Sequence, residues 1–278
     1  MGGMGKERNP KMYSYVSKPT VKPARKICTS MLNELKGRLQ EERIQVQIEP
    51  AGSARVNLVT KNGSDPFDLD YDIRVFSFDS DLKLSGLKKI LLNAVRKEAD
   101  AYGFRKVQDS TSAITCIHYQ DGTDSIDFHM DIGIIVMRDK NSGCRLIHDK
   151  RQETYTLNEP VQYKDLHQHA TAIYEHQMRK ELRRIYLEKK NQYLKKGDQN
   201  HPSFVVYVEA VNQVYQKILN EGGTNMAKGK VSGNTHTQAQ MNHHANQGNP
   251  NNAAHKSAAD NRSNQMNPNH TASKGGKK

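Results

Sequence analysis

The sequence predicts an α/β protein: a mixed sheet flanked by helices, followed by a helical subdomain and a disordered tail. Three observations predict this. Apolar residues recur at helical spacing before Gln40 and again after Ser85, alternation is strict from Phe67 to Phe76, and a long apolar run extends from Ile126 to Met137.

Residues 1–19 combine Gly, Pro, Lys and Arg with little apolar periodicity and are expected to form a flexible basic arm. From Thr20 the pattern becomes helical, with Ile27, Met31, Leu32, Leu35 and Leu39 on one side and an end near Gln40. Ile44, Val46 and Ile48 then alternate with polar residues, which is the mark of a short strand with one buried face. The strand runs into Pro50-Ala51-Gly52-Ser53, a turn able to open a second helix or a loop.

After an Asn62-Gly63 turn, Leu69, Tyr71, Ile73 and Val75 alternate with Asp68, Asp70, Asp72 and Arg74. Because side chains along a strand point to opposite faces, one face of this segment is core and the other begins as a row of carboxylates. A helix is expected over residues 85–102, and further strands over 104–107, 113–119 and 126–137. The segment from Arg138 to Gln162 reads as loop-rich, with short strands at most. Residues 166–196 read as one long basic helix, and residues 202–219 as another, with Phe204, Val208, Val211, Tyr215 and Ile218 at helical spacing. The expected division is therefore an arm (1–19), a sheet domain (20–150), a helical subdomain (151–222) and a tail (223–278). In the tail Asn, Gln, His and Lys dominate, and too few large apolar residues remain to offset the entropy of ordering it.

Bulk composition narrows the function classes. The formal charge is +12 over 278 residues, of which the tail contributes +6 through seven Lys/Arg against Asp260 alone. The body is thus only moderately basic, which suits polyphosphate or nucleic-acid ligands without requiring them. No run approaches the roughly 18 apolar residues of a membrane span and no secretory leader is evident, so a cytoplasmic protein is expected. Cys28, Cys116 and Cys144 are scattered and lack zinc-site spacing, so they read as ordinary reduced thiols. The tail histidines, including His243 and His244, have no fixed geometry for a metal.

The chemistry concentrates in the acids. Like charges side by side on a strand repel, and each raises its neighbour's pKa, so the row Asp68, Asp70, Asp72 calls for a cation. Oxygen-only ligation with room for phosphate suits Mg²⁺, with Mn²⁺ as an alternative. Asp131 lies in an otherwise apolar strand, where an unpaired charge is costly unless it faces a site. If that strand lies beside the acidic one, the carboxylates converge around metal ions. Asp127 and His129 are read as a solvated acid and a structural neighbour of Asp131, and the basic helix with Arg179, Lys180, Arg183, Arg184, Lys189 and Lys190 as a solvated surface, with contact to triphosphate or an RNA acceptor as the alternative. At Gly52-Ser53 the glycine allows close backbone approach to a phosphate, and the hydroxyl and turn N–H groups can bond its oxygens.

Gly52-Ser53 after the first strand, an Asp-apolar-Asp pair on the next and Asp131 on a later one together resemble the signature of the DNA-polymerase-β-like nucleotidyltransferases. The resemblance is closest to the branch of cyclic-oligonucleotide synthases and oligoadenylate synthetases. It covers roughly Thr20 to Lys140, and the helical region to Gly222 matches the second subdomain of such enzymes. It implies transfer of a nucleoside monophosphate from a nucleoside triphosphate, ATP by default, to a hydroxyl acceptor, with a nucleotide or RNA the leading acceptor classes. A nucleotide second-messenger synthase in defence signalling is one form of that activity; modification of RNA, a protein or a small molecule is another, and a catalytically idle nucleic-acid-binding protein of the same fold is the rival class.

By the resemblance, Gly52 and Ser53 would hold the triphosphate, Asp68 with Asp70 (or Asp70 with Asp72) would supply the paired metal ligands, and Asp131 the third carboxylate, associated with activating the acceptor hydroxyl. The Gly-Thr that often follows Gly-Ser in this family is missing between Ser53 and Asp68.

Overall fold

The computed structural model describes residues 12–228 apart from 162, 164 and 199–201, with the backbone alone described over 221–228. The expected tail, including His243 and His244, therefore lies almost wholly outside the described residues, as does most of the expected arm. One compact unit ends at Ile218. A second, Leu219–Lys278, contains the end of the last helix.

The chain starts with β1 (Tyr13–Tyr15), then α1 (Lys18–Glu41), β2 (Gln45–Pro50), α2 (Gly52–Arg55), β3 (Thr60–Asn62) and β4 (Phe67–Ser77). Next come α3 (Leu84–Ala99), a 3₁₀ turn, β5 (Phe104–Asp109), β6 (Ala113–Tyr119), β7 (Ile126–Met137), β8 (Gly143–Asp149) and β9 (Thr154–Asn158). Three helices follow, α4 (Leu166–Glu175), α5 (Arg179–Lys195) and α6 (Ser203–Lys228). The result is the mixed sheet flanked by helices that the sequence predicts, in the strand order β2-β4-β7-β6-β5, with β8 paired to β7 and β9 to β8. Only β4 and β7 run parallel; the other pairs are antiparallel.

Alternation in β4 works as expected. Phe67, Leu69, Tyr71, Ile73 and Val75 are all buried, while Asp68, Asp70, Asp72 and Arg74 share the opposite face. The apolar face packs under α1 and α3, whose Met31, Leu35, Leu39, Leu87, Leu91 and Val95 are fully buried in the same cluster. Ser17 caps α1 by accepting the Thr20 N–H, and Pro19 occupies the first turn, where its missing N–H costs nothing.

The structure corrects four sequence expectations. The arm is not loose throughout, because Tyr13–Tyr15 pair with Thr60–Asn62 in a two-stranded sheet and α1 already begins at Lys18. The short strands that the sequence leaves open after Arg138 are β8 and β9, and they carry the sheet past residue 150 into the expected helical subdomain. In β8 Cys144, Leu146 and His148 are buried between the more open Arg145, Ile147 and Asp149, and in β9 Tyr155 and Leu157 alternate with Thr154, Thr156 and Asn158, short patterns that turn-rich flanks obscure.

The long basic helix is two helices. Gln177 takes a left-handed φ of 57°, and the turn around it closes through Met178 N–H to the Ile173 carbonyl. The break lets Ile173 on α4 and Ile185 and Tyr186 on α5 enter one core with Val206, Ala210, Val211 and Val214 of α6. Phe204, expected on the apolar side of α6, is instead 46% exposed.

One buried polar cluster was not legible at all. Lys88 of α3 reaches to the carbonyls of Ser110 and Ala113 and to Asp109, whose carboxylate also lies 2.9 Å from His148 Nδ1 and accepts from it. Removing one member leaves the others desolvated and unpaired, so Lys88→Ala is expected to destabilise the protein by about 2–4 kcal/mol in urea unfolding.

Candidate active site

The parallel pairing of β4 with β7 fixes the site. In that register Asp68 lies opposite His129, Asp70 opposite Asp131 and Asp72 opposite Gly133. The two strands therefore set the Asp70 and Asp131 carboxylates side by side on one face, with Asp68 one pleat away.

Each acid has a different environment. Asp70 is pushed up to about 6, first by burial, then by the charges of Asp131, Asp68 and Asp72, while a hydrogen bond from the Ser53 backbone N–H works in the opposite direction. Burial likewise raises Asp131, against which the Thr115 hydroxyl donates to its Oδ1 at 2.6 Å. Thr115 is within hydrogen-bond distance of Ser110 as well, so a hydroxyl pair, Thr115 on β6 and Ser110 in the turn before it, orients the Asp131 carboxylate. Asp68 is more open, with its side chain 59% exposed and His129 Nδ1 2.9 Å away. Asp72 is taken by Arg145 of β8 at 2.9 Å.

Glycine is required at two points. Gly52 has φ +48°, and a Cβ there would lie 2.5 Å from Asp70 Oδ2, so only glycine lets the α2 turn close over that carboxylate. A Cβ on Gly133 would fall on the Arg145 guanidinium and the Asp72 carboxylate, so its absence is what admits that ion pair. The Arg25 guanidinium secures the turn from α1 by donating to the Ala54 carbonyl at 2.6 Å.

These groups open onto a cavity of about 1070 Å³. Its floor is Asp70, Asp72, Asp131 and Gly52-Ser53, with Arg145 at one side, and the facing wall comes from the last three helices through His167, Tyr186, Ser203, Phe204 and Tyr207. Behind Ser203 stands Lys190 of α5, whose ammonium donates to Ser203 Oγ at 3.1 Å and to Thr60 Oγ1 at 3.0 Å. Burial pulls Lys190 down to about 8, while Asp68 and Asp70 hold the charge in place. Of the six basic residues named on the predicted long helix, Lys190 lies close to the acidic row, whereas Arg183 binds the Asn57 carbonyl and Arg184 pairs with Glu181 and Glu188 on its own helix.

The structure thus brings together Asp68, Asp70, Asp131, Gly52 and Ser53, and diverts Asp72 to Arg145. Asp127 pairs with His118 at 3.4 Å. Thr115, Arg145 and Ser203 were not singled out for the site in the sequence, and Lys190 was named there only as one of six basic residues on a helix read first as a solvated surface. Tyr186 four residues before Lys190, buried on the same helical face, is the pattern that marks that lysine as covered.

A divalent cation fits this donor set. Asp70 is desolvated among three other carboxylates, which is the setting that a cation relieves. Among the described residues no three His, Cys, Asp or Glu side chains converge as an all-protein metal cage, so water and substrate oxygens would have to complete the shell, as Mg²⁺ commonly accepts.

The fold and site together define a sheet-borne acidic centre at the floor of a cavity, with Lys190 behind Ser203 on the opposite wall. Among solved structures the chain is similar to E. coli MS115-1 CdnC with ATP, at 16% identity over 72% of this chain and 62% of that one, with a TM-score of 0.48. It is similar also to the Elizabethkingia meningoseptica CdnE cyclic dinucleotide synthase with GTP and Apcpp (16% identity, 68% of each chain, TM-score 0.46). A third is Vibrio cholerae DncV in its 3′-deoxy ATP bound form (14% identity, 71% of this chain and 52% of that one, TM-score 0.42). The chain spans less than two thirds of the length of the first of these. No family model matches the sequence, and no curated protein does. Among the described residues no helix is long and apolar enough to cross a membrane.

Two expectations follow from the electrostatics. A carboxyl whose folded-state pKa lies above its ordinary value is penalised once pH exceeds that raised value, and the penalty fades as pH falls towards the ordinary range. Asp70→Asn should therefore stabilise the ligand-free protein near pH 7 by about 1–2 kcal/mol, and urea titrations should show the gain shrinking as pH is lowered from 6.5 towards 4. Gly52→Ala should act in the opposite sense, losing about 1–3 kcal/mol from the left-handed backbone and the collision with Asp70.

Proposed function

We propose that the protein is a metal-dependent nucleotidyltransferase that moves a nucleoside monophosphate from a nucleoside triphosphate, ATP by default, to a hydroxyl acceptor. The single observation that carries this reading is the side-by-side placement of Asp70 and Asp131, with Asp68 one pleat away, on the floor of a cavity whose far wall holds Ser203, backed by Lys190. Acids on one side and an ammonium on the other suit a bound polyphosphate, whose charge the ammonium meets and whose metal counter-ion the acids hold. Phe204 and Tyr207 on the cavity wall, the former half-exposed, give a base an aromatic surface to stack on.

In this reading Asp68, Asp70 and Asp131 hold Mg²⁺ or Mn²⁺. The ions would supply charge neutralisation at the phosphates and a lower pKa for the attacking hydroxyl. Asp131, kept in one orientation by Thr115, points its carboxylate at the acceptor hydroxyl. The acceptor oxygen bonds to the α-phosphorus, the α–β bridging bond breaks in line, and the hydroxyl proton passes to Asp131 or to water. Lys190, Ser203 and Ser53 hold the departing pyrophosphate oxygens. The pairing of Asp72 with Arg145 at the cavity's side favours Asp68 with Asp70 as the metal-binding pair in this reading.

Incubation with mixed nucleoside triphosphates and Mg²⁺, with and without RNA, followed by mass spectrometry of the products, tests the reading. Pyrophosphate and a nucleotidylated product are expected from the unaltered protein. Asp70→Asn and Asp131→Asn should each reduce kcat by at least about 10³-fold, while Lys190→Ala should act mainly on KM. RNA binding that survives Asp70→Asn, without turnover under any metal or acceptor, would sink the enzyme reading in favour of an idle nucleic-acid binder. Mg²⁺ alone should raise the melting temperature of the unaltered protein and lose that effect in Asp70→Asn.

A further inference from the structure

Two residues of β1, Tyr13 and Tyr15, hold α5 against β3 by a set of contacts that the sheet itself does not need. The Tyr13 N–H donates to Asn191 Oδ1 at 2.7 Å, and Asn191 Nδ2 donates back to the Tyr13 carbonyl at 3.1 Å, so one amide side chain of α5 pairs with the strand as another strand would. The Tyr15 hydroxyl donates to the Arg183 carbonyl at 2.6 Å, and the Arg183 guanidinium lies 3.8 Å over the Tyr15 ring. On its other edge β1 is laddered to β3 from Asn62 to Thr60.

Lys190 lies at the meeting point of these contacts. Its ammonium is 4.0 Å from the centre of the Tyr13 ring and 5.7 Å from that of Tyr186, and it donates to Thr60, which is the register partner of Tyr15. A lysine side chain has four rotatable carbons and loses much rotamer freedom when held. Here the freedom is removed by a ring on each side and two hydroxyls, and the ring that comes from outside the helical core is that of Tyr13.

We infer that β1 is a positioning clamp for the phosphate-binding lysine, with Tyr13 as a positioning residue that holds the Lys190 ammonium where it meets the triphosphate. The inference rests on the nucleotidyltransferase reading and adds to it that the N-terminal strand sets triphosphate affinity. Tyr13 touches neither substrate nor reacting atoms; it acts through Lys190.

The test is a double-mutant cycle on the full chain, read by calorimetric binding of the α,β-methylene analogue of ATP with Mg²⁺, which cannot release pyrophosphate. Tyr13→Leu should weaken binding by roughly 3- to 30-fold, the range of a partly desolvated cation–ring contact, and Tyr13→Phe should stay within about twofold of the unaltered protein. In a Lys190→Ala background Tyr13→Leu should have no further effect, because the contact it removes is already gone.

Additive losses in the cycle, or a Tyr13→Phe variant as weak as Tyr13→Leu, would overturn the clamp and leave the nucleotidyltransferase reading standing. Absence of analogue binding by the unaltered protein overturns both. Asn191→Ala provides a second route to the same question. It loosens β1 without touching the ring, and it too should weaken analogue binding only while Lys190 is present.

Discussion

Repulsion between Asp70 and Asp131, held opposite each other by the parallel β4–β7 ladder, is the constraint around which the rest of the unit up to Ile218 is arranged. A shift of one residue in that register would turn the β4 acids into the core and its apolar row to solvent, so the buried Leu69, Tyr71 and Ile73 on the reverse face lock the acids in place. The strands flanking the pair then tune each acid separately. β6 sends Thr115 to Asp131, β8 sends Arg145 to Asp72, and the α2 turn brings the Ser53 N–H to Asp70.

The helical wall complements that floor. Its own core, centred on Ile173, Ile185, Tyr186 and Val211, fixes α5 so that Lys190 is covered by rings and hydroxyls instead of solvent. A buried amine facing buried carboxylates across open volume is costly on both sides when the cavity is empty. The cost falls when a polyanion with its counter-ion fills the space, which ties the arrangement to a ligand more than to the stability of the fold.

Most of the floor was legible because strand alternation is a strong local signal. Asp68, Asp70 and Asp72 had to share a face once Leu69, Tyr71 and Ile73 were core, and an acid in the apolar run around Asp131 had to face something polar. What could not be read was which strand lies beside which, and so which acid is relieved by another group; Arg145 claims Asp72 from fourteen residues beyond Asp131. The wall was less legible still. Lys190 looks like its neighbours Lys189 and Arg184 until the packing of α4, α5 and α6 decides which way each points. The same blindness hid the break at Gln177, since a left-handed residue with no glycine leaves little trace in periodicity. It also hid β1, a strand too short to show alternation.

The desolvated Asp70 carries one more implication. Since that side chain weakens the unoccupied protein at neutral pH, selection for heat resistance alone would favour its replacement by an uncharged residue. A hardier descendant with asparagine at that position would look like an improved scaffold while lacking the carboxylate that the proposed chemistry requires, so its retention in any thermally robust homologue would signal that the carboxylate is kept for use and not for strength.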